Sequence, residues 1–132
     1  METLEWNDSY GVGVEEIDRQ HQRLFELVNI LGRAVADGRE EDIIGHVLVD
    51  MAGYAEEHFK SEQLYLEKHA DFKDHFMAHW DFTKKCMELV FAFRKDKKVS
   101  ADTLNYLIQW LKKHILEVDR QFFKELGEQG LL

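Results

Sequence analysis

A chain of 132 residues, 45% apolar and 33% charged, can bury a full core in one domain without disulfide staples. Its net charge of −9 argues against nucleic acid and anionic membrane surfaces as partners, because both select basic patches. The single cysteine excludes an intramolecular disulfide, and the absence of proline with only 8 glycines points to a mostly helical protein.

No repeat, low-complexity tract or linker divides the sequence, so a single domain over residues 1–132 is expected. No apolar run approaches the roughly 20 residues of a membrane span, and membrane insertion is not expected. The first residues carry no basic segment followed by an apolar stretch, so no secretory signal is visible. A soluble cytoplasmic monomer is the expectation.

Residues 1–16, with Gly11 and Gly13, read as an extended N-terminal arm, and Trp6 is expected to pack it onto the remainder. From Ile17 an inward stripe runs Ile17, His21, Leu24, Val28, Leu31, Val35, in alternating steps of 4 and 3 that keep one helical face inward. This predicts a helix over about 17–37, ended by Asp37 and Gly38. A second helix, over 41–66, carries Ile44, Val47, Met51, Tyr54, His58, Glu62 and Tyr65. A third, over 71–94, carries Phe72, His75, His79, Phe82, Cys86, Leu89 and Phe93, before the charged run Arg94–Lys98. Ser100 is a plausible N-cap for a fourth, over 101–126, with Leu104, Leu107, Leu111, His114, Val118 and Phe122 inward. Four helices joined by short polar turns predict an all-α, up-down-up-down antiparallel four-helix bundle.

Polar residues interrupt these stripes. An unpartnered buried polar group costs about 1–3 kcal/mol, and a buried charge costs more. Yet His21, His58, Glu62, His75, His79 and His114 all fall in the inward register, on four helices. The other histidines serve as a control: His46 falls off its stripe, and His69 lies in a turn and reads as a surface residue. A lone core histidine is ordinarily hydrogen-bonded to a neighbour. Five adjacent imidazoles cannot all find local acceptors, whereas a metal takes the lone pair of each and leaves its other N–H for an outer acceptor.

His58 and Glu62 are four apart, as are His75 and His79, so each pair can reach one point inside a bundle. Asp119 stands five after His114, about 140° away on a regular helix. The two could share a site only from its sides or through a local distortion, and spacing alone does not select Asp119.

Five nitrogens with one or two carboxylates exceed the needs of one ion. A structural zinc takes four ligands, and no His-Glu-x-x-His motif is present. Two six-coordinate ions bridged by carboxylates account for the full set. Imidazole suits iron, zinc, copper and nickel alike, so these ligands do not by themselves specify iron. The Glu-x-x-His of carboxylate-rich di-iron enzymes is also absent. A nitrogen-rich pair is less suited to high-valent chemistry and favours a bound state that releases dioxygen.

Residues 6–25 (WNDSYGVGVEEIDRQHQRLF), 58–62 (HFKSE), 75–79 (HFMAH) and 110–119 (WLKKHILEVD) resemble the hemerythrin family, most closely its single-domain bacterial members. The resemblance implies two iron ions with a bridging hydroxo or oxo group, ferrous without oxygen and ferric in the oxygenated and inert oxidised forms. It implies that His75, His79 and His114 hold one iron and His21 and His58 the other, with Glu62 and Asp119 bridging. It further implies reversible dioxygen binding, as a hydroperoxide on the open iron, in storage, transport or delivery. Leu111 matches a pocket leucine of the family, and Trp110, Ile115 and Phe59 are candidate neighbours of the oxygen pocket. One departure is visible: only 12 residues separate Glu62 from His75, and the family's usual Tyr-Pro in that turn is missing.

An oxygen-binding protein rather than an enzyme is the reading. The alternatives are a di-iron redox enzyme reducing peroxide or nitric oxide, which would need an electron donor, and an oxygen or redox sensor module, which would need a separate partner. Cys86, on an inner stripe, reads as a small buried hydrophobe.

Overall fold

A computed structural model describes residues 3–38, 41–96 and 101–132. It is all-helical, with no strand among the described residues. The bundle comprises α1 (Glu15–Ala36), α2 (Glu41–Leu66), α3 (Phe72–Asp96) and a fourth helix built from α4 (Ala101–Lys113), a π-helical stretch (His114–Asp119) and α5 (Arg120–Glu128). No helix is long and apolar enough to cross a membrane among the described residues.

Antiparallel packing follows from which ends meet. Gln20, early in α1, donates to Ser61, late in α2. Gly45, early in α2, lies against Phe93, late in α3, where an added Cβ would come within 3.0 Å of the Phe93 ring. A side chain at Gly45 would therefore push these helices apart.

Glu15, Glu16 and Asp18 fill the first turn of α1, where the helix dipole favours acids. Asp18 also accepts the Val12 N–H at 2.7 Å and so fixes the chain's entry. At the other end Asp37 caps α1 and Gly38 takes φ 63, a left-handed conformation that glycine adopts without strain. The arm folds back along the bundle. Leu4 and Asn29 exchange two hydrogen bonds, of 2.9 and 2.7 Å, and Trp6 meets Tyr10 and Phe25 edge-on.

Three details depart from the sequence reading. Helix α2 packs against both α1 and α3, so its buried face widens to Leu48, Ala55, Phe59 and Leu66, while Ile44, Val47, Tyr54 and Tyr65 are only half-buried. In the fourth helix the expected stripe fails after His114: Val118 and Phe122 are half-buried, and Asp119, Phe123 and Leu126 face inward instead. The π-helical stretch causes this, since one extra residue in the turn advances the register by one. His69 is buried, not a surface residue. The proposed cap Ser100 and part of the run Arg94–Lys98 lie outside the described residues.

Candidate metal centre

The inward polar residues form a layer between two apolar clusters. On one side lies the long cluster that includes Leu24, Leu31, Met51, Phe82, Leu107 and Leu111. On the other, Ile17, Leu66, Phe123 and Leu126 close the end of the bundle. His21, Glu62 and Asp119 are 0% exposed within this layer.

All four bundle helices contribute. Helix α1 supplies His21, α2 supplies His58 and Glu62, α3 supplies His75 and His79, and the π-helical stretch supplies His114 and Asp119 at its two ends. Its i to i+5 periodicity turns the awkward five-residue spacing into a shared face. Every imidazole presents Nε2 to the interior.

The two carboxylates divide their oxygens. Glu62 Oε1 lies 2.8 Å from His21 Nε2 and 2.9 Å from His58 Nε2, while Oε2 lies 3.1 Å from His79 Nε2 and 4.0 Å from His75 Nε2. Asp119 Oδ2 lies 3.1 Å from His21 Nε2, while Oδ1 lies 2.8 Å from His75 Nε2 and 3.1 Å from His114 Nε2. Two overlapping groups result. His75, His79 and His114 share Glu62 and Asp119 with His21 and His58, and the ligand atoms within each group lie within 4.8 Å of one another.

Hydrogen bonding alone does not satisfy this cluster. His58 Nε2, His75 Nε2, Glu62 Oε2 and both Asp119 oxygens are buried without a hydrogen-bond partner, although their neighbours are within reach. His79 Nε2 and His114 Nε2 are 2.8 Å apart, so at most one of them can carry a proton there. Each unmet group would cost about 1–3 kcal/mol in a packed core. Cations placed among these atoms would satisfy them together, so the residues fit a metal pair.

The electrostatics agree. Burial opposes charge on His21, but the Asp119 and Glu62 carboxylates beside it outweigh burial and raise its pKa to about 9. Burial likewise opposes charge on His114, yet Asp119 raises it. At His79 burial prevails over the pull of Glu62 and lowers the pKa to about 4. Burial would lift both acids, but the surrounding imidazoles hold Glu62 and Asp119 below the usual carboxylate range. The acids are therefore anionic in a dry layer, a state that positive ions stabilise.

Aromatic rings wall the site. Phe59 stacks on His79 at 3.9 Å, and Trp110 stacks on His114 at 4.4 Å. Both thus lie over the three-histidine group, with Phe59 also 5.6 Å from His58. Leu111 and Ile115 are each 1% exposed in the larger apolar cluster. Cys86 belongs to the same cluster, where burial pushes its thiol up to about 12 and leaves it inert.

A sequence model of the hemerythrin HHE cation binding domain matches residues 12–126. The chain belongs to the hemerythrin family. It is 30% identical over 127 residues to a bacteriohemerythrin of Clostridium acetobutylicum, covering 89% of this chain and 96% of that protein. It is 32% identical over 126 residues to a bacteriohemerythrin of Methylococcus capsulatus, covering 92% and 95% respectively. Its fold superposes on a wild-type hemerythrin crystal structure with a TM-score of 0.84, at 31% identity over 93% of this chain and 97% of that one.

Two residues of this hemerythrin escaped the sequence reading. Gln20 accepts from His58 Nδ1 at 2.8 Å, which directs the Nε2 lone pair inward, and Gln20 is held in turn by Ser61 at 3.1 Å. Its only signal was a polar residue beside His21 at the edge of the inward face. His69 gave none, because the Glu125 and Phe122 side chains that cover it are remote in sequence.

Proposed function

We propose that this hemerythrin binds dioxygen reversibly for storage, transport or delivery, at two iron ions held by His21, His58, Glu62, His75, His79, His114 and Asp119. The division of each carboxylate between a group of three histidines and a group of two carries this reading. With three histidines for one ion and two for the other, the second would have room for a small ligand. A ferrous pair would supply two electrons to dioxygen and recover them on release.

The residues of the chain do the rest. His75, His79 and His114 would hold one ion, and His21 and His58 the other. Glu62 and Asp119 would tie the two together and balance their charge. Buried Leu111 and Ile115 in the apolar cluster, with Phe59 and Trp110 on the histidine faces, exclude the water that promotes irreversible oxidation. The relatives' name, bacteriohemerythrin, supports a binding protein rather than an enzyme.

The test is oxygen uptake by the anaerobically reduced, iron-loaded protein. Uptake of about one O2 per iron pair, recovered on purging, supports the proposal. Continuous consumption with an added reductant would replace it with the redox-enzyme reading.

A further inference from the structure

We propose that His69 and Glu125 position His75 through the ring of Phe122. The inference rests on the reading of His75 as a metal ligand. His69 occupies the shortened connection between α2 and α3. Its backbone ends one helix and begins the next: the His69 N–H donates to Leu66 O at 2.9 Å, and its carbonyl accepts from Phe72 N at 3.2 Å.

The side chain is fixed as tightly. Nδ1 accepts the Asp71 N–H at 2.9 Å, so Nε2 carries the proton and donates it to Glu125 Oε2 on α5. The other Glu125 oxygen accepts from Gln121 at 2.8 Å, and Lys68 donates to the Leu131 carbonyl at 3.4 Å. The turn is thereby fastened to α5 through Glu125 and to the segment that follows it through Leu131.

Phe122 lies between this fastening and the metal layer. Its ring centroid is 4.4 Å from the His69 ring and 4.3 Å, nearly perpendicular, from the His75 ring. His75 Nδ1 has no hydrogen-bond partner. Where an outer acceptor orients His58, packing must orient His75; His79 and His114 lie against its ring within the layer, and Phe122 packs on it from outside the layer. The register shift of the π-helical stretch is what brings Phe122 to this side.

The experiment loads the whole chain with cobalt(II) and follows loss of each ion to a chelator, using His58→Ala to identify the phase of the two-histidine group. His69→Leu and Phe122→Leu should each speed loss from the three-histidine group about tenfold, leaving the other phase near the parent rate. The double variant should be no faster than either single one. Glu125→Gln retains an acceptor and should match the parent, whereas Glu125→Leu should resemble His69→Leu. In metal-free protein the His75 ring resonances should move in His69→Leu, although residue 122 is unchanged. Equal acceleration of both phases, or unchanged rates with unmoved His75 resonances, would overturn the inference alone. A parent that binds no metal would overturn the function proposed above, and the metal-free resonances would still decide the positioning.

Discussion

His114 Nε2 lies 3.1 Å from Asp119 Oδ1, although the two residues stand five apart in one helix. A regular α-helix would hold them about 140° apart. The π-helical turn between them removes that angle, so one helix delivers both a histidine and a shared carboxylate to the layer. Because the Asp119 oxygens are split between the two histidine groups, this local distortion serves both at once.

That division predicts how metal content responds to substitution. Removing a carboxylate, as in Asp119→Ala or Glu62→Ala, should empty both positions. His58→Ala should lose only the ion of its own group, retaining about one of two. Elemental analysis of the purified variants checks this, and retention of both ions in Asp119→Ala would contradict the bridging role.

The histidine charges predict opposite pH responses with and without metal. His21 rises from 6.5 to about 9 on folding of the metal-free protein, so its contribution is complete below pH 6.5 and lost as pH climbs through about 9. His114 shifts the same way, while Glu62 and Asp119 are already ionised in this window. The thermal midpoint of metal-free protein should therefore fall between pH 6.5 and 9. A metal must displace the His21 proton, so affinity should rise over the same range, by about tenfold per pH unit for each proton displaced. Calorimetry in buffers of different ionisation enthalpy would detect that proton release.

Most of the bundle was legible because amphipathic spacing and burial are the same fact. Ile17, His21, Leu24, Val28 and Leu31 repeat at helical intervals and are all buried. The inward register of the other histidines was legible for the same reason. The second half of the last helix was not, since Val118 and Phe122 continue a regular period that the chain abandons at His114. The five-residue spacing of His114 and Asp119 admits a local distortion there, but it does not select a π-helical turn over two ligands flanking the site. His69 was misread because its burial depends on Glu125, 56 residues away, and on Phe122.

Gln20 offers a test of the outer hydrogen bonds. Gln20→Leu removes the acceptor of His58 Nδ1 and should weaken the ion of the two-histidine group about 10–100-fold. Gln20→Glu retains an acceptor and should hold that ion at least as well as the parent. Competition with a coloured chelator measures both. A Gln20→Leu protein with parental affinity would show that packing alone orients His58.

Leu111, 1% exposed and one turn before His114, is expected to keep water from the loaded site. Leu111→Ala should cost about 2–5 kcal/mol of stability through the cavity it leaves. It should also speed irreversible oxidation of the oxygenated protein. Matched autoxidation half-lives for variant and parent would remove Leu111 from the oxygen pocket.

The central claim is reversible oxygen binding, and the visible spectrum through cycles of oxygen and vacuum tests it most directly. The protein would be loaded with iron, reduced without air and then cycled. A coloured species that forms with oxygen, bleaches under vacuum and returns at full amplitude is the predicted result. Irreversible oxidation in the first cycle would contradict it.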